Sequence, residues 1–110
     1  MAYVPDRGDL VWITFNPQAG HEPSGRRPAV VLTLKSYNGK VGLALLCPVT
    51  SQVKGYPFEV AIPEDLPVNG VILSDQVKSL DWKARNAQKA CSLPEETIKK
   101  VLIRVKALIE

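Results

Sequence analysis

The chain has 110 residues and a net charge of +3 at pH 7, with 45% hydrophobic and 23% charged residues. This is an ordinary globular balance, and the length predicts one domain spanning residues 1–110. The basic balance favours a polyanionic partner only mildly, because many small basic domains bind no nucleic acid.

The N-terminal residues lack the basic and apolar regions of a secretory signal. No uncharged apolar run approaches the ~20 residues that a membrane helix needs. We therefore expect a cytoplasmic protein that spans no membrane, with Cys47 and Cys91 as reduced thiols. Because the sequence has one histidine and no Cys-x-x-Cys pair, we expect no zinc site, and we expect no other metal and no cofactor.

Short apolar segments rich in β-branched and aromatic residues predict a series of strands. A long Gly- and Pro-bearing loop, residues 16–26, follows the first of them, and loops of this length are often functional. The last strand is the most weakly supported, because polar residues interrupt it. The predicted strands cover residues 10–15, 28–35, 41–49, 58–62, 70–74 and 84–90.

Two positions bear on how these strands connect. Asn38 and Gly39 form the dipeptide most typical of a tight hairpin turn, so we expect the second and third strands to form a hairpin. Pro48 cannot donate to a sheet ladder, so we expect regular pairing of the third strand to end near it.

The C-terminal segment predicts a helix. Ser92 and Glu95 have the spacing of a capping box, and apolar residues then recur on one helical face. A series of short strands with one C-terminal helix predicts a mainly β fold, a small and partly open β-barrel capped by the helix. The apolar positions are Ile98, Val101, Leu102, Val105, Leu108 and Ile109.

Three sets of polar residues border predicted strands and are therefore candidates to meet at one rim of the barrel. A planar guanidinium beside a hydroxyl suits the binding of a phosphate. No Gly-rich phosphate loop or carboxylate cluster accompanies them. The sets are His21, Glu22, Arg26 and Arg27; Thr50, Ser51, Gln52 and Lys54; and Asp75, Gln76, Lys78 and Ser79.

This combination suits cleavage of RNA without a metal, in which the 2′-hydroxyl attacks the adjacent phosphate. Arg27 is the candidate to stabilise the charge on the phosphate, and Thr50 to hydrogen-bond to it. Glu22 is the candidate to accept the 2′-hydroxyl proton, while an arginine or histidine donates to the leaving oxygen. Arginine is a poor general base because its pKa exceeds ~12.

Structural interpretations stand beside these functional ones. His21 fits a solvated loop residue, and Thr50 with Ser51 fits a turn cap. Either tryptophan is able to stack on a base. Trp12 lies in an apolar strand and is predicted to be a core residue, whereas the sequence does not decide the place of Trp82.

Five segments together match one known pattern and cover essentially the whole chain. On them the chain resembles the MazF/PemK family of toxin endoribonucleases from bacterial toxin–antitoxin systems. The segments are Tyr3-Val4-Pro5-Asp6, Gly8-Asp9-Leu10-Val11-Trp12, Gly25-Arg26-Arg27-Pro28-Ala29-Val30-Val31-Leu32, residues 50–60 beginning Thr50-Ser51-Gln52-Val53-Lys54-Gly55, and Asp75-Gln76-Val77-Lys78-Ser79.

The resemblance implies an SH3-like barrel with helices that forms a homodimer. It also implies metal-independent cleavage of single-stranded RNA at short sequences, leaving a 2′,3′-cyclic phosphate and a 5′-hydroxyl. Cutting of mRNA inhibits translation and growth, and a MazE-type antitoxin blocks the RNA groove. The family specificity lies in variable loops, here expected at residues 16–26 and 63–69.

The resemblance also implies roles for individual residues. The family's catalytic arginine, directly before a proline, corresponds to Arg27, its catalytic threonine to Thr50 and its acidic loop residue to Glu22. A catalytic part for His21 has no support from the family. The RNA-binding candidates are Arg26, Ser51, Gln52, Lys54, Gln76 and Lys78.

Two other functions are compatible with a fold of this kind. One is a toxin that poisons DNA gyrase without cutting RNA, and the other is a small barrel that only binds RNA or a peptide. The presence of both Arg27 and Thr50 favours the endoribonuclease, because a gyrase binder has no need of a phosphate clamp with a hydroxyl.

Overall fold

The computed structural model describes residues 3–15 and 25–110. Within them the chain forms short antiparallel strands, one short helix and one longer C-terminal helix, which confirms the predicted mainly β class. The elements are β1 Asp9–Phe15, β2 Gly25–Val31, α1 Lys35–Val41, β3 Ala44–Thr50, β4 Glu59–Ala61, β5 Val71–Leu73, β6 Lys78–Leu80, β7 Gln88–Ser92 and α2 Glu95–Ile109.

The strands lie in the order β4-β5-β3-β2-β1-β7, and β6 pairs with β3 as a branch. Strand β3 is the centre of the sheet, because β2 pairs along one edge while two short strands share the other edge. Strand β6 pairs with the first half of β3, and β5 pairs with its last two residues.

Both faces of the sheet are covered, so each central strand is apolar on both sides. Leu10 and Val30 are paired across β1 and β2 and belong to a cluster that includes Val101 of α2. Their neighbours Val11 and Ala29 are also paired, but belong to a second cluster. Successive residues of a strand point to opposite faces, which explains the division into two clusters.

The tight turn predicted at Asn38 is wrong, although the expected antiparallel pairing of the second and third strands is confirmed. Asn38 lies in the middle of helix α1 and is fully buried, and the helix ends at Gly42 with a φ of 83°. The Asn38 amide group donates to the carbonyl oxygens of Pro5 and Thr33, and the Trp82 indole N–H donates to its backbone carbonyl. Pro5 and Trp82 lie 33 and 44 residues away in sequence, so tertiary hydrogen bonds outweigh the local turn preference of the dipeptide.

The prediction for Pro48 is confirmed only in part: pairing with β2 ends at it, but it lies in the central strand and not at a sheet edge, and β3 goes on to pair with β5 at Val49 and Thr50. Pro48 faces Ala29 in the β2–β3 ladder, and it lies between the residues of β3 that pair with β6 and those that pair with β5. The ladder on the outer edge of β3 is therefore interrupted at the proline, as we expect for a residue that cannot donate.

The predicted C-terminal helix is confirmed, but its capping box is wrong. Helix α2 begins at Glu95 after an N-cap at Pro94, and no side chain caps it. Ser92 is instead the last residue of β7, paired with Asp9 of β1, so it is too far back to cap the helix.

No helix among residues 3–15 and 25–110 is long and apolar enough to cross a membrane.

Strand boundaries also differ from the predicted ones. The second strand begins earlier than expected, at Gly25, and ends at Val31 because the chain turns into α1. The polar segment after β5 contains the unpredicted strand β6, since three residues of alternating exposure carry little sequence signal. The last sheet strand is β7, four residues beyond the predicted start at residue 84.

Candidate active site

A cleft opens where strands β2 and β3 separate, and we call it the β2–β3 cleft. The last paired residues of the ladder are Ala29 and Pro48. Continuing the same register past this last pair, by two residues along each strand, leads to Arg27 on β2 and Thr50 on β3. Neither Pro28 nor Pro48 has a backbone N–H to extend the ladder, which favours separation of the strands here.

A cavity of about 260 Å³ lies in the β2–β3 cleft. Arg27 is half-buried in its wall, between the exposed Arg26 and the apolar interior of β2. Ser51 is exposed and lies on the opposite strand side of the same cavity. The cavity is lined by Trp12, Arg27, Pro28, Val49, Ser51 and the segment 67–69.

Thr50 is the last residue of β3, and a local hydrogen bond orients its side chain. Its Oγ1 accepts the backbone N–H of Gln52 at 3.1 Å, which is the turn-capping bond expected from sequence. A hydroxyl has one donor and two acceptor lone pairs, so this bond leaves the O–H proton for another acceptor. The turn role and a catalytic role are therefore compatible at Thr50.

The loop after Thr50 carries three of the predicted RNA-binding residues in exposed positions, Ser51, Gln52 and Lys54. The carboxylate of Glu59 accepts the backbone N–H groups of Lys54 and Gly55 at 3.1 and 3.0 Å. The Lys54 ammonium lies 5.9 Å from the centre of the Tyr56 ring, within cation–π range. Glu59 thus fixes the backbone of a loop that presents a cation and an aromatic ring to solvent.

Arg26 is exposed, but its guanidinium is held by the neighbouring strands. It donates to the carbonyl oxygen of Asn86 at 2.7 Å, to Gln88 Oε1 at 3.0 Å and to Thr14 Oγ1 at 3.3 Å. Arg26 therefore ties β2 to β1 and to the start of β7, while its positive charge stays at the surface. This structural role accompanies the RNA-binding role that we predict for it.

The third polar set lies away from the cavity. Lys78 begins β6 and faces Leu46, near the start of β3 rather than its end at Thr50. Gln76 is half-buried between β5 and β6, and its carboxamide oxygen accepts no hydrogen bond from the described part of the chain. Arg27 and Ser51 therefore line the cavity and Thr50 directly precedes Ser51 at the end of β3, whereas Gln76 and Lys78 are not among the lining residues.

Two residues of the first polar set, His21 and Glu22, lie outside the described residues. The catalytic part of Glu22 stays a prediction for that reason. Within residues 3–15 and 25–110, no group of three or more histidine, cysteine, aspartate or glutamate side chains is arranged to hold a metal ion.

Trp12 is the cavity residue that the sequence interpretation misplaced. It was predicted to be a core residue, but its side chain is 40% exposed, whereas Trp82 is only 8% exposed. The apolar cluster on its face of β1 includes Leu10 and ends before Trp12, so the tryptophan lies beyond the cover of α2. The apolar residues next to Trp12 in the sequence do not reveal that its side chain is exposed.

Comparisons with known proteins identify the family of the chain. A family profile described as "PemK-like, MazF-like toxin of type II toxin-antitoxin system" matches residues 6–109. The chain is 47% identical over 107 residues to "Endoribonuclease toxin MazF" of Escherichia coli K12, covering 97% of this chain and 96% of that protein.

The chain belongs to the PemK-like, MazF-like toxins of type II toxin–antitoxin systems. Among solved structures, MazF of Deinococcus radiodurans superposes with a TM-score of 0.95 at 51% identity, covering 98% of each chain. A MazE–MazF structure from the same organism gives a TM-score of 0.90 at 51% identity, covering 98% of this chain and 97% of that one.

Membership of the PemK/MazF-type toxins confirms the family predicted from the five sequence segments. The fold shared with these relatives also confirms the mainly β architecture with a C-terminal helix. The curated relative is named as an endoribonuclease, so the comparisons do not favour the gyrase-poisoning alternative.

Proposed function

We propose that this PemK/MazF-type toxin is a metal-independent endoribonuclease that cleaves single-stranded RNA at short sequences. One observation supports this activity most directly: the β2–β3 ladder ends two residues before Arg27 on one strand and two residues before Thr50 on the other, and Arg27 and Ser51 line the cavity beyond it. A phosphodiester bound between Arg27 and Thr50 has a positive charge on one side and a hydrogen-bond donor on the other.

The reaction begins with attack of the RNA 2′-oxygen on the adjacent phosphorus. The O2′–P bond forms while the P–O5′ bond breaks, so the products are a 2′,3′-cyclic phosphate and a 5′-hydroxyl. Negative charge grows on the non-bridging oxygens during the transition state. The guanidinium of Arg27 supplies the stabilising positive charge at that point, because a fixed fork of N–H donors matches phosphate oxygens.

Thr50 and Glu22 complete the proposed chemistry. The N–H of Gln52 occupies an acceptor site of Thr50 Oγ1, so the hydroxyl proton is available to a phosphate oxygen. Glu22 accepts the proton of the attacking 2′-hydroxyl, and an arginine or His21 returns a proton to the leaving 5′-oxygen. The roles of Glu22 and His21 come from the sequence interpretation.

The substrate contacts extend from the cavity along the exposed loop after β3. Gln52 and Lys54 are exposed there, and Glu59 holds the backbone of this loop. Single strands bind through a cationic track for the backbone and ring faces for the bases. Lys54 with Tyr56 offers both, and Arg26 provides a second surface charge beside the cleft.

We further propose the partners that the family relationship suggests. The toxin acts in the cytoplasm on mRNA, and it forms a homodimer. A cognate antitoxin of the MazE type covers the β2–β3 cleft of the toxin. An acidic antitoxin segment suits this position, because the cleft and its loop carry Arg26, Arg27 and Lys54.

The test is incubation of the purified chain with a long transcript in EDTA, with cut sites mapped by primer extension. We expect cuts at a recurring short sequence, with cyclic phosphate on the upstream fragment and a 5′-hydroxyl on the downstream one. Arg27→Lys is the informative control, because it keeps the charge and removes the fork geometry. Intact RNA with the wild-type chain would contradict the proposal.

A further inference from the structure

Trp12 is a large aromatic side chain that the fold leaves 40% exposed beside Arg27. Covering the exposed part of such a ring is favourable, so a tryptophan exposed inside a concave site is suited to bind a flat apolar group. We propose that the Trp12 cavity is a subsite for one nucleobase of the RNA, the base of a nucleotide next to the scissile phosphate. This subsite deepens the proposed function and rests on it.

The size and walls of the cavity fit a single planar group rather than a free small molecule. Its volume of about 260 Å³ lies just below the roughly 300–1,000 Å³ typical of pockets for whole ligands. Pro28, Pro67 and Val49 form apolar walls around the tryptophan. Flat apolar surfaces next to an indole face suit an aromatic base, which stacks irrespective of its identity.

The polar groups of the cavity fall into two sets, one suited to the phosphate and the other to the edge of the base. Arg27 provides the phosphate contact, so the cavity begins at the reacting centre. Ser51 and Asn69 are exposed at the opposite side of the same cavity. A side-chain amide offers a donor and an acceptor together, which is what reading the edge of an unpaired base requires.

The residues next to Trp12 are held in place by strand pairing and by hydrogen bonds. Across the sheet, Trp12 faces Pro28 on β2 and Gln88 on β7. The guanidinium of Arg26 donates to Gln88 Oε1 and to Thr14 Oγ1 on the same face. Because strands and hydrogen bonds fix both neighbours, the ring surface is preorganised before RNA binds, which lowers the entropic cost of binding.

The subsite has a direct test once the cut sequence is mapped. An oligonucleotide spanning the cut is made non-cleavable by a 2′-deoxy sugar at the attacking nucleotide, and each base is then replaced in turn by an abasic sugar. Affinities of the wild type, Trp12→Phe and Trp12→Leu are compared at one salt concentration. Trp12→Phe keeps a ring face, whereas Trp12→Leu keeps only the apolar bulk.

With the wild type, we expect removal of one base beside the cut to weaken binding about 5- to 150-fold, the effect of losing one stacked base. Trp12→Phe should retain most of this position-specific loss. Trp12→Leu should bind the intact oligonucleotide more weakly than the wild type does. Removal of that base should then lower the affinity of Trp12→Leu only slightly further. An equal position-specific loss in Trp12→Leu and the wild type would overturn the subsite and leave the proposed RNA cleavage standing.

Tryptophan fluorescence of the unmodified protein gives a second measurement that needs no destabilising change. Trp82 is buried, so bound RNA should alter the emission of Trp12 alone. We expect quenching in the wild type and none in Trp12→Phe, which still contains Trp82. Tight binding of the oligonucleotide without any change in wild-type emission would also overturn the subsite. Failure of the wild type to cut RNA at all would instead reject the proposed function.

Discussion

Gly70 packs against the backbone of Thr50 so closely that a side chain there would overlap the Thr50 carbonyl oxygen. The same added Cβ would also approach Ser51 Cα at 3.3 Å. Gly70 has a φ of +125°, a conformation that L residues with side chains rarely adopt. The position of the proposed catalytic hydroxyl thus depends on a glycine about twenty residues later in the chain.

Gly70→Ala should therefore lower RNA cleavage through Thr50. We expect a loss of roughly 10- to 100-fold, because small displacements of a reacting group carry costs of that order. Gly42→Ala is the matched control: Gly42 has a φ of +83° with nothing within 4 Å, so only backbone strain of about 1–2 kcal/mol follows. Cleavage rates are measured at a temperature where both variants are folded by circular dichroism. Equal rates for the two variants would contradict the positioning role.

Arg27→Ala should reduce cleavage by about 100-fold or more, the effect of losing one stabiliser of transition-state charge. Since Arg27 is only half-buried near the start of β2, we expect the variant to stay folded. Rates on an RNA with one mapped site, together with a melting curve, provide the measurement. A variant that cuts at the wild-type rate would remove Arg27 from the mechanism.

Thr50 allows a pair of substitutions that separates the hydroxyl from the shape. Thr50→Val keeps the branched shape and removes the hydroxyl, so we expect a loss similar to that of Arg27→Ala. Thr50→Ser retains the hydroxyl and its bond to the Gln52 N–H, so it should cut within about 10-fold of the wild type. If the valine variant were as active as the serine variant, the hydroxyl would have no role in the reaction.

Asn38→Ala should destabilise the fold rather than change the chemistry. It removes the donor to Pro5 and Thr33 in a fully buried position, and unpaired buried groups cost about 1–3 kcal/mol each. We expect a loss of about 2–4 kcal/mol in the free energy of unfolding. Lys40→Ala, exposed on the same helix, should change it by less than ~0.5 kcal/mol. Chemical denaturation of both variants distinguishes the two outcomes.

The two cysteines should differ in reactivity. Burial, with a smaller contribution from the charge of Asp75, raises the pKa of the Cys47 thiol to about 12. Burial also raises the pKa of Cys91, which is partly exposed. Because the thiolate is the reactive form, a maleimide at pH 8 should label Cys91 slowly and leave Cys47 unlabelled in the native protein. In the folded Cys91→Ser variant, labelling of Cys47 as fast as in the same variant unfolded in urea would contradict the expected protection of Cys47.

Most of the fold can be predicted from local patterns in the residues of the strands and of α2. Alternating and β-branched segments indicated β1, β2 and β3, and the apolar spacing from Ile98 onward indicated α2. These signals succeed because each reports which face of an element is apolar. The short strand β6 and the helix α1 escaped, since one is three residues long and the other contains a dipeptide typical of turns.

The sequence alone determined the mainly β class, the family and the residue types able to hold a phosphate, because these depend on periodicity and on side-chain chemistry. Only the tertiary structure decided which of those residues meet. The β2–β3 ladder pairs residues far apart in the chain, and its last pair lies two residues from Arg27 on one strand and two residues from Thr50 on the other. The exposure of Trp12 and the burial of Asn38 depend on which elements cover each face of the sheet. A local sequence pattern does not contain that information.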